Sequence, residues 1–514
     1  MMLRKFRDWR FVGAVSIILL IVITILAPKA KNCTVYPRYK NANANTDDYE
    51  MEPNKEVTIN IEDATLDLEE DKTIIEVETM LLTSERARAI LTVTGKLNMV
   101  QLVTNQVKQR VSLNERMENE DNFATEKKDE LSPLDETVLL PSTLKKLREK
   151  LQCHDRSFER KVTQRGDFWV YINYIRAEHG PIACHENLTL TCHSDFTFLD
   201  NLGPSITSWN GPMSVAIHAP GDDLAPALDS IRYVRDCSES SLLIKQWVSF
   251  HIFFHKNHMP KVVPHIDDLL TSPYNCLLPE PYIVNASTTY AALESVFYPL
   301  NVGRNIARAA ALTHFIFPLD IELYPSPHLA ARFLNMIARE PPELAGTNPR
   351  VFPLALFEVQ EDQQVRSENH KNDLLAMLKT GKAITFHKHV CAPCHDVPKL
   401  GVFTVGKRTG PYAVWEPFFI GTLAEPVFDE RLTWQGKSDK MTQNYIMCVQ
   451  DYDFMVLNNA FLVHRPGVKV YKPERVRDTE TAKTNALIRG TIVPEYNIIY
   501  EINLLFYEVN LNLE

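Results

Sequence analysis

An excess of basic charge is missing from this 514-residue chain: 55 Lys and Arg stand against 65 Asp and Glu, for a formal net charge of -10. That argues against a general nucleic-acid binder, which would present a basic face. Also missing is any long apolar run after Ala27, so everything beyond Pro28 belongs to one aqueous compartment. Internal repeats are absent. Tryptophan is absent between Pro28 and Leu144, where Glu, Asp, Asn, Thr and Lys dominate and the apolar runs are as short as Thr73 to Val77. Such a composition buries little surface and reads as an extended spacer, although denser apolar residues from Ile74 to Val111 leave room for a small folded element.

What the chain does have begins at Phe11. The run FVGAVSIILLIVITILA, ending at Ala27, is long enough to cross the hydrocarbon layer. Arg4, Lys5, Arg7 and Arg10 precede it and Lys29 and Lys31 follow, so the positive-inside bias puts the N-terminus in the cytosol and the remainder in the lumen. A cleaved signal peptide is the competing reading, opposed by the length of the run and by Pro28 at the cleavage position. The expected order is a cytosolic tail at 1–10, a signal anchor at 11–27, a stem at 28–145 and a lumenal catalytic domain at 146–514. Two sequons, Asn187-Leu-Thr189 and Asn285-Ala-Ser287, suit a secretory lumen. Nine cysteines there should largely pair, and the odd count leaves one over. Cys33, beside the membrane, is the candidate for a disulfide to a second copy.

Beyond Cys153, apolar runs alternate with amphipathic segments bounded by Pro, Gly or Asn. Strands are expected at 168–175, 213–218, 248–254, 314–320, 351–359, 413–420 and 454–463, and helices at 222–235, 301–312, 327–338, 371–379 and 438–449. Strands separated by helices imply an α/β fold with a largely parallel sheet covered on both faces. In such sheets ligands sit outside the carboxyl ends of the strands.

Two of those strand ends carry chemistry. Asp320-Ile321-Glu322 closes an apolar strand with two carboxylates at i, i+2, on the same side, a pattern suited to a hard divalent cation or to a structural acid pair. Other acid-x-acid pairs, such as Asp451-Tyr452-Asp453, read as surface turns. His464 ends the run FMVLNNAFLVH, either to complete a metal shell or to cap a core strand. After it, Gly467 would let backbone approach a diphosphate and Lys469 would supply charge.

Five co-linear segments go further: WNGPMSVAIHAPG, YPLNVGRNIARAAALTHFIFPLDIELYPS, GPYAVWEPFFIG, FDERLTWQGKSDK and DFMVLNNAFLVHRPGVK. Together they resemble glycosyltransferase family 49 over roughly the last two-thirds of the chain. The resemblance implies a GT-A type, Rossmann-like nucleotide-sugar-binding fold, a type II Golgi enzyme, a UDP-sugar donor, a glycan or glycoprotein acceptor and a metal such as Mn2+. It places the metal on Asp320, Glu322 and His464. It also gives donor roles to Asn301, Arg304 and Asn305 on one helix, with Arg304 reading a diphosphate or a uronate carboxylate, and it puts the base near Ala219 and Pro220. Asp439 is then the candidate for the base that activates the acceptor hydroxyl, or simply a helix N-terminal acid.

The cluster His387, His389, Cys391, Cys394 and His395 is best read as disulfide-bonded cysteines, with structural zinc as the alternative. Glucuronic acid transfer is the leading activity. N-acetylglucosamine transfer to galactose-ended chains, or an inactive glycan-binding relative, are its rivals. The run from Thr491 to the end alternates like a strand and departs from the family pattern.

Overall fold

The fold, seen in a computed structural model, is described for residues 137–362, 371–395, 404–406, 415–458, 460–468 and 475–500. The tail, the apolar run 11–27, Cys33, most of the stem and Lys469 lie outside the described residues. Among the described residues no helix is long and apolar enough to cross a membrane.

The long strands β3 (Leu188–Ser194), β4 (Met213–His218) and β5 (Val248–His255) are buried along their whole length or nearly so. Such continuous burial is the mark of parallel strands covered on both faces. They join β1 (Lys161–Arg165), β2 (Phe168–Ile175) and β6 (Phe315–Pro318) in a six-stranded sheet of order β1-β2-β5-β4-β3-β6. The β3/β4, β4/β5 and β3/β6 pairs are parallel, while β1 and β2 add an antiparallel edge. The chain therefore runs from β3 outward to β5 and returns on the other side of β3. That reversal makes the gap between the carboxyl ends of β3 and β6 the topological switch point, where open α/β sheets bind ligands.

A second sheet centres on β8 (Arg350–Val359), which pairs in parallel with β12 (Asp453–Val456) and β13 (Phe461–His464). Short strands β7 (Leu323–Pro325), β9 (Ala383–Thr385), β10 (Thr404–Gly406) and β11 (Phe418–Ile420) complete it, all in antiparallel pairs. The sheets are tied by the antiparallel bridge between Ile316 and Gly421.

Several expectations need correction. The single strand expected at 454–463 is two, β12 and β13, both on β8 but interrupted after Val456. Of the strand expected at 413–420, residues 418–420 are β11 and 415–417 are not strand, Pro417 having no N–H for the ladder, while 413 and 414 lie outside the described residues. The stem boundary at 145 falls inside the helix Pro141–Leu151, whose Leu147 is fully buried and whose Thr143 hydroxyl donates to Asn335 Oδ1 at 3.0 Å. The strand expected from Thr491 is instead a π-helical turn (Ile488–Ile492) followed by the helix Val493–Ile499. Ile488 and Ile492, four residues apart, face Leu432, Met441 and Tyr445, so the period that matters is helical; residues 501–514 lie outside the description.

Disulfides join Cys153 to Cys184 and Cys237 to Cys276. Among the described residues the free thiol is Cys192, buried on β3; Cys33 lies outside them.

Candidate functional site

The crevice at the switch point opens into a cavity of about 1060 Å³, lined by His193, Pro220, Asp223, Tyr298, Arg304, Asp320, Glu322, His395, Trp434, Asp439, Lys440, His464 and others. Asp320 and Glu322 stand in the tight turn between β6 and β7, closed by the bond from Leu323 N–H to Asp320 O at 3.0 Å. Ile321 between them is 5% exposed and part of the core. The turn, beyond the end of β6 at Pro318, brings both carboxylates to the cavity while Ile321 packs into the core.

His193, at the end of β3, meets Asp320 across the switch point. Its Nε2 stands 3.3 Å from Asp320 Oδ1 and its Nδ1 2.8 Å from the Tyr298 hydroxyl. A carboxylate only accepts, so Nε2 carries the proton and Nδ1 accepts from Tyr298. Burial pushes the His193 pKa down, although the bond to Asp320 opposes that, and it raises Tyr298 well above its ordinary value. Both are neutral donors at physiological pH.

Arg304, 4% exposed, is clamped between two acids: Nη2 donates to Asp320 Oδ1 at 2.7 Å and Nη1 to Asp439 Oδ2. Burial alone would raise the Asp320 carboxyl. Arg304, His193 and Lys440 outweigh it and hold the carboxyl well below the usual range. Asp439 is likewise raised by burial but brought below its usual value by Arg304 and Lys440. Both Arg304 Nη groups are therefore engaged by acids of the chain itself, while Arg304 still lines the cavity where a donor contact was expected. A carboxyl with lowered proton affinity is a poorer base, so Asp439 fits the role of second jaw on Arg304 better than that of acceptor-activating base.

Asn301 and Asn305 also depart from expectation. They are fully buried and absent from the cavity wall. Asn301 Nδ2 donates to the carbonyls of Asp429 and Asp439 at 2.8 and 3.0 Å, and Asn305 Nδ2 to the Phe428 carbonyl at 2.8 Å. They fasten the 428–439 segment to the helix Leu300–Ala310. Ala219 is buried, its N–H bonded to Phe253 O, and only Pro220 of that pair lines the cavity. Gly467, at φ 128°, bonds Val359 O and turns the chain after β13 without lining the cavity.

His464 is 5% exposed. Its Nδ1 donates to the Arg465 carbonyl at 2.7 Å, which leaves Nε2 as a buried lone pair without a hydrogen-bond partner, 3.7 Å from Glu322 Oε2. An orphaned imidazole nitrogen facing a carboxylate fits a divalent cation in kind. Asp320, held by Arg304 and His193, is not gathered with them, and among the described residues no three His, Cys, Asp or Glu side chains stand close enough to hold an ion. Cys394 is disulfide-bonded, as expected, and the side chain of Cys391 lies outside the described residues. His395 lines the cavity with its pKa pushed well below the ordinary value by burial and by Lys440.

His193, Tyr298 and Lys440 were not singled out from sequence. The rule of inspecting residues at strand ends would have found His193 had β3 been recognised, since it stands next to last in LTLTCHS.

A mostly parallel sheet whose switch-point crevice opens into an acidic cavity, beside a second mixed sheet, is the frame of a GT-A type glycosyltransferase. The chain belongs to the family described as "Glycosyl-transferase for dystroglycan", which matches residues 187–501. Similar proteins include Beta-1,4-glucuronyltransferase 1 of Danio rerio, 27% identical over 350 residues, covering 63% of this chain and 78% of that protein. The Homo sapiens protein of the same name is 24% identical over 337 residues with the same shares. Xylosyl- and glucuronyltransferase LARGE1 of Homo sapiens is 24% identical over 346 residues, covering 66% of this chain and 39% of that protein. The chain is thus a glycosyltransferase, with a nucleotide-sugar donor and a glycan acceptor as its substrates.

Proposed function

We propose that this enzyme transfers glucuronic acid from UDP-glucuronic acid to a glycan of the dystroglycan type, with inversion and with a divalent metal, from a type II anchor at 11–27 in the Golgi membrane. The observation that carries the reading is the orphaned Nε2 of His464 beside Glu322 in a cavity whose carboxylates outnumber its cations. An acidic cavity repels a diphosphate unless a cation stands between them. The names of the similar glucuronyltransferases support the donor, and the charge asymmetry around the apolar run supports the topology.

Glu322 and His464 would hold the cation; Asp320, whose Oδ1 is held by Arg304 and His193, would join them only through its other oxygen. Mn2+ so bound would offset charge on the departing diphosphate. The remaining work falls to the chain itself. Arg304 and His193 fix the Asp320 carboxylate and keep it ionised. The Nδ1 bond to Arg465 fixes the His464 tautomer, and the walls of the cavity exclude water. A purified fragment starting at residue 137 should turn over UDP-glucuronic acid at least about tenfold faster than UDP-glucose, as a charge-assisted contact to the uronate implies. Turnover of UDP-N-acetylglucosamine in preference, or activity indifferent to EDTA, would refute this donor or the metal.

A further inference from the structure

Trp434 is the most exposed of the aromatic side chains that line the cavity: 49%, against 40% for Phe198 and 7% and 5% for Phe386 and Phe418. It is nevertheless held firmly. It begins the short 3-10 helix Trp434–Gly436, and its N–H donates to the Tyr298 carbonyl at 3.2 Å. The guanidinium of Arg477 lies over its ring at 4.0 Å. Gly436 sits so close to the helix Arg475–Leu487 that a Cβ there would stand 1.9 Å from Thr484 Oγ1. Lys437 and Asp478, 3.4 Å apart, join the same two segments, and both line the cavity beside Trp434 and Arg477.

A large aromatic surface left open while its backbone and one face are fixed is preorganised to receive a ligand. The ledge is coupled to the reaction centre by hydrogen bonds: Trp434 to the Tyr298 carbonyl, the Tyr298 hydroxyl to His193, and His193 to Asp320. The nucleotide belongs at the carboxyl ends of β3, β4 and β6. The ledge comes from a different part of the chain, beyond the second sheet's β11, and has the chemistry a sugar ring needs. It offers an apolar plane for the C–H face, with an ammonium and a carboxylate at its edge for the hydroxyls.

We infer that the Trp434 ledge, backed by Arg477 and edged by Lys437 and Asp478, is the subsite for the terminal pyranose of the acceptor. The inference deepens the proposed function and rests on it. It is tested with Trp434→Ala and Trp434→Phe in the full chain, using a pyranoside acceptor that the wild type turns over. Acceptor KM, donor KM, acceptor-independent release of UDP and the Kd of UDP by calorimetry are compared. Trp434→Ala should raise acceptor KM about tenfold, the scale of a stacking contact plus its buried area. Donor KM, UDP release and UDP binding should stay within about twofold, and Trp434→Phe should recover most of the acceptor KM. Unchanged acceptor KM would overturn the inference. So would a matching loss of UDP affinity, which would assign the indole to the base. A wild type that turns over and hydrolyses no UDP-sugar would instead sink the proposed function, and the inference with it.

Discussion

The two sheets meet at the Ile316–Gly421 bridge, yet they hold the site by different means. In the first, the central strands β2 to β5 run six to eight residues, and His193 and Asp320 are delivered by the pairing of β3 with the short β6. In the second, strands of three or four residues gather around β8 from positions 323 to 464. There the cavity residues depend on long-range side-chain bonds: Arg304 to Asp439, Asn301 to the 429 and 439 carbonyls, Lys440 to Glu416. A long parallel strand places a residue by itself; a patchwork needs clamps.

The comparison is tested most severely at Arg304. Arg304→Met leaves the half-buried Asp320 and Asp439 facing each other without their cation; such losses cost about 3–5 kcal/mol for fully buried partners, and solvent at Asp320 brings this one to the low end, about 3 kcal/mol. Urea unfolding should show that drop. A loss below about 1 kcal/mol would mean that the halves do not rely on the clamp.

Next in size are the proposed ligands. Asp320→Asn, Glu322→Gln and His464→Ala should each lower turnover at least about a hundredfold, or roughly 2.7 kcal/mol, the scale of one lost preorganised electrostatic element. Asp451→Asn, in the other acid-x-acid pair, should stay within a few-fold. Equal damage from Asp451→Asn in a folded protein would break the distinction.

Acid should then expose the first sheet. His218 and His251 are buried there, and burial pulls both pKa values down to about 3. Between pH 6.5 and 3 the unfolded chain takes up protons that the native state refuses. Each histidine therefore favours the native state fully above about 6.5 and withdraws that support, at about 1.4 kcal/mol per pH unit, as pH falls. The urea midpoint should drop between pH 6.5 and 5, with hydrogen exchange rising first in β3 to β5. A flat midpoint over that interval would contradict the buried neutral state.

The smallest effect lies at the edge. A fragment starting at 146 cuts the helix Pro141–Leu151 and loses Leu144 and the Thr143 bond to Asn335, so it should be less stable than one starting at 137 by about 1–2 kcal/mol. Equal midpoints would return those residues to the spacer.

Much of the first sheet was legible. β2 and β4 fall where the apolar runs put them, and Asp320 and Glu322 follow from a run that ends in acids. β3 was not, because its threonines and serine look like a polar loop; Thr189 is silenced by Thr313, 124 residues away. The same non-locality misled the reading of Asn301 and Asn305. Amides on a helix face look alike whether they face a ligand or, as here, carbonyls 123 to 138 residues further on.

Cys192 carries one more consequence. Its thiol lies on β3 directly before His193, buried, with burial and the nearby Asp320 charge raising its pKa far above the reactive range. While the sheet is closed, neither an alkylating reagent nor a passing disulfide can engage it, so the chain's disulfides cannot shuffle through it. Its rate of modification becomes a clock for opening of the reaction-centre strand, readable by mass without any engineered label. A donor that binds across β3 and β6 should slow that clock in proportion to its occupancy.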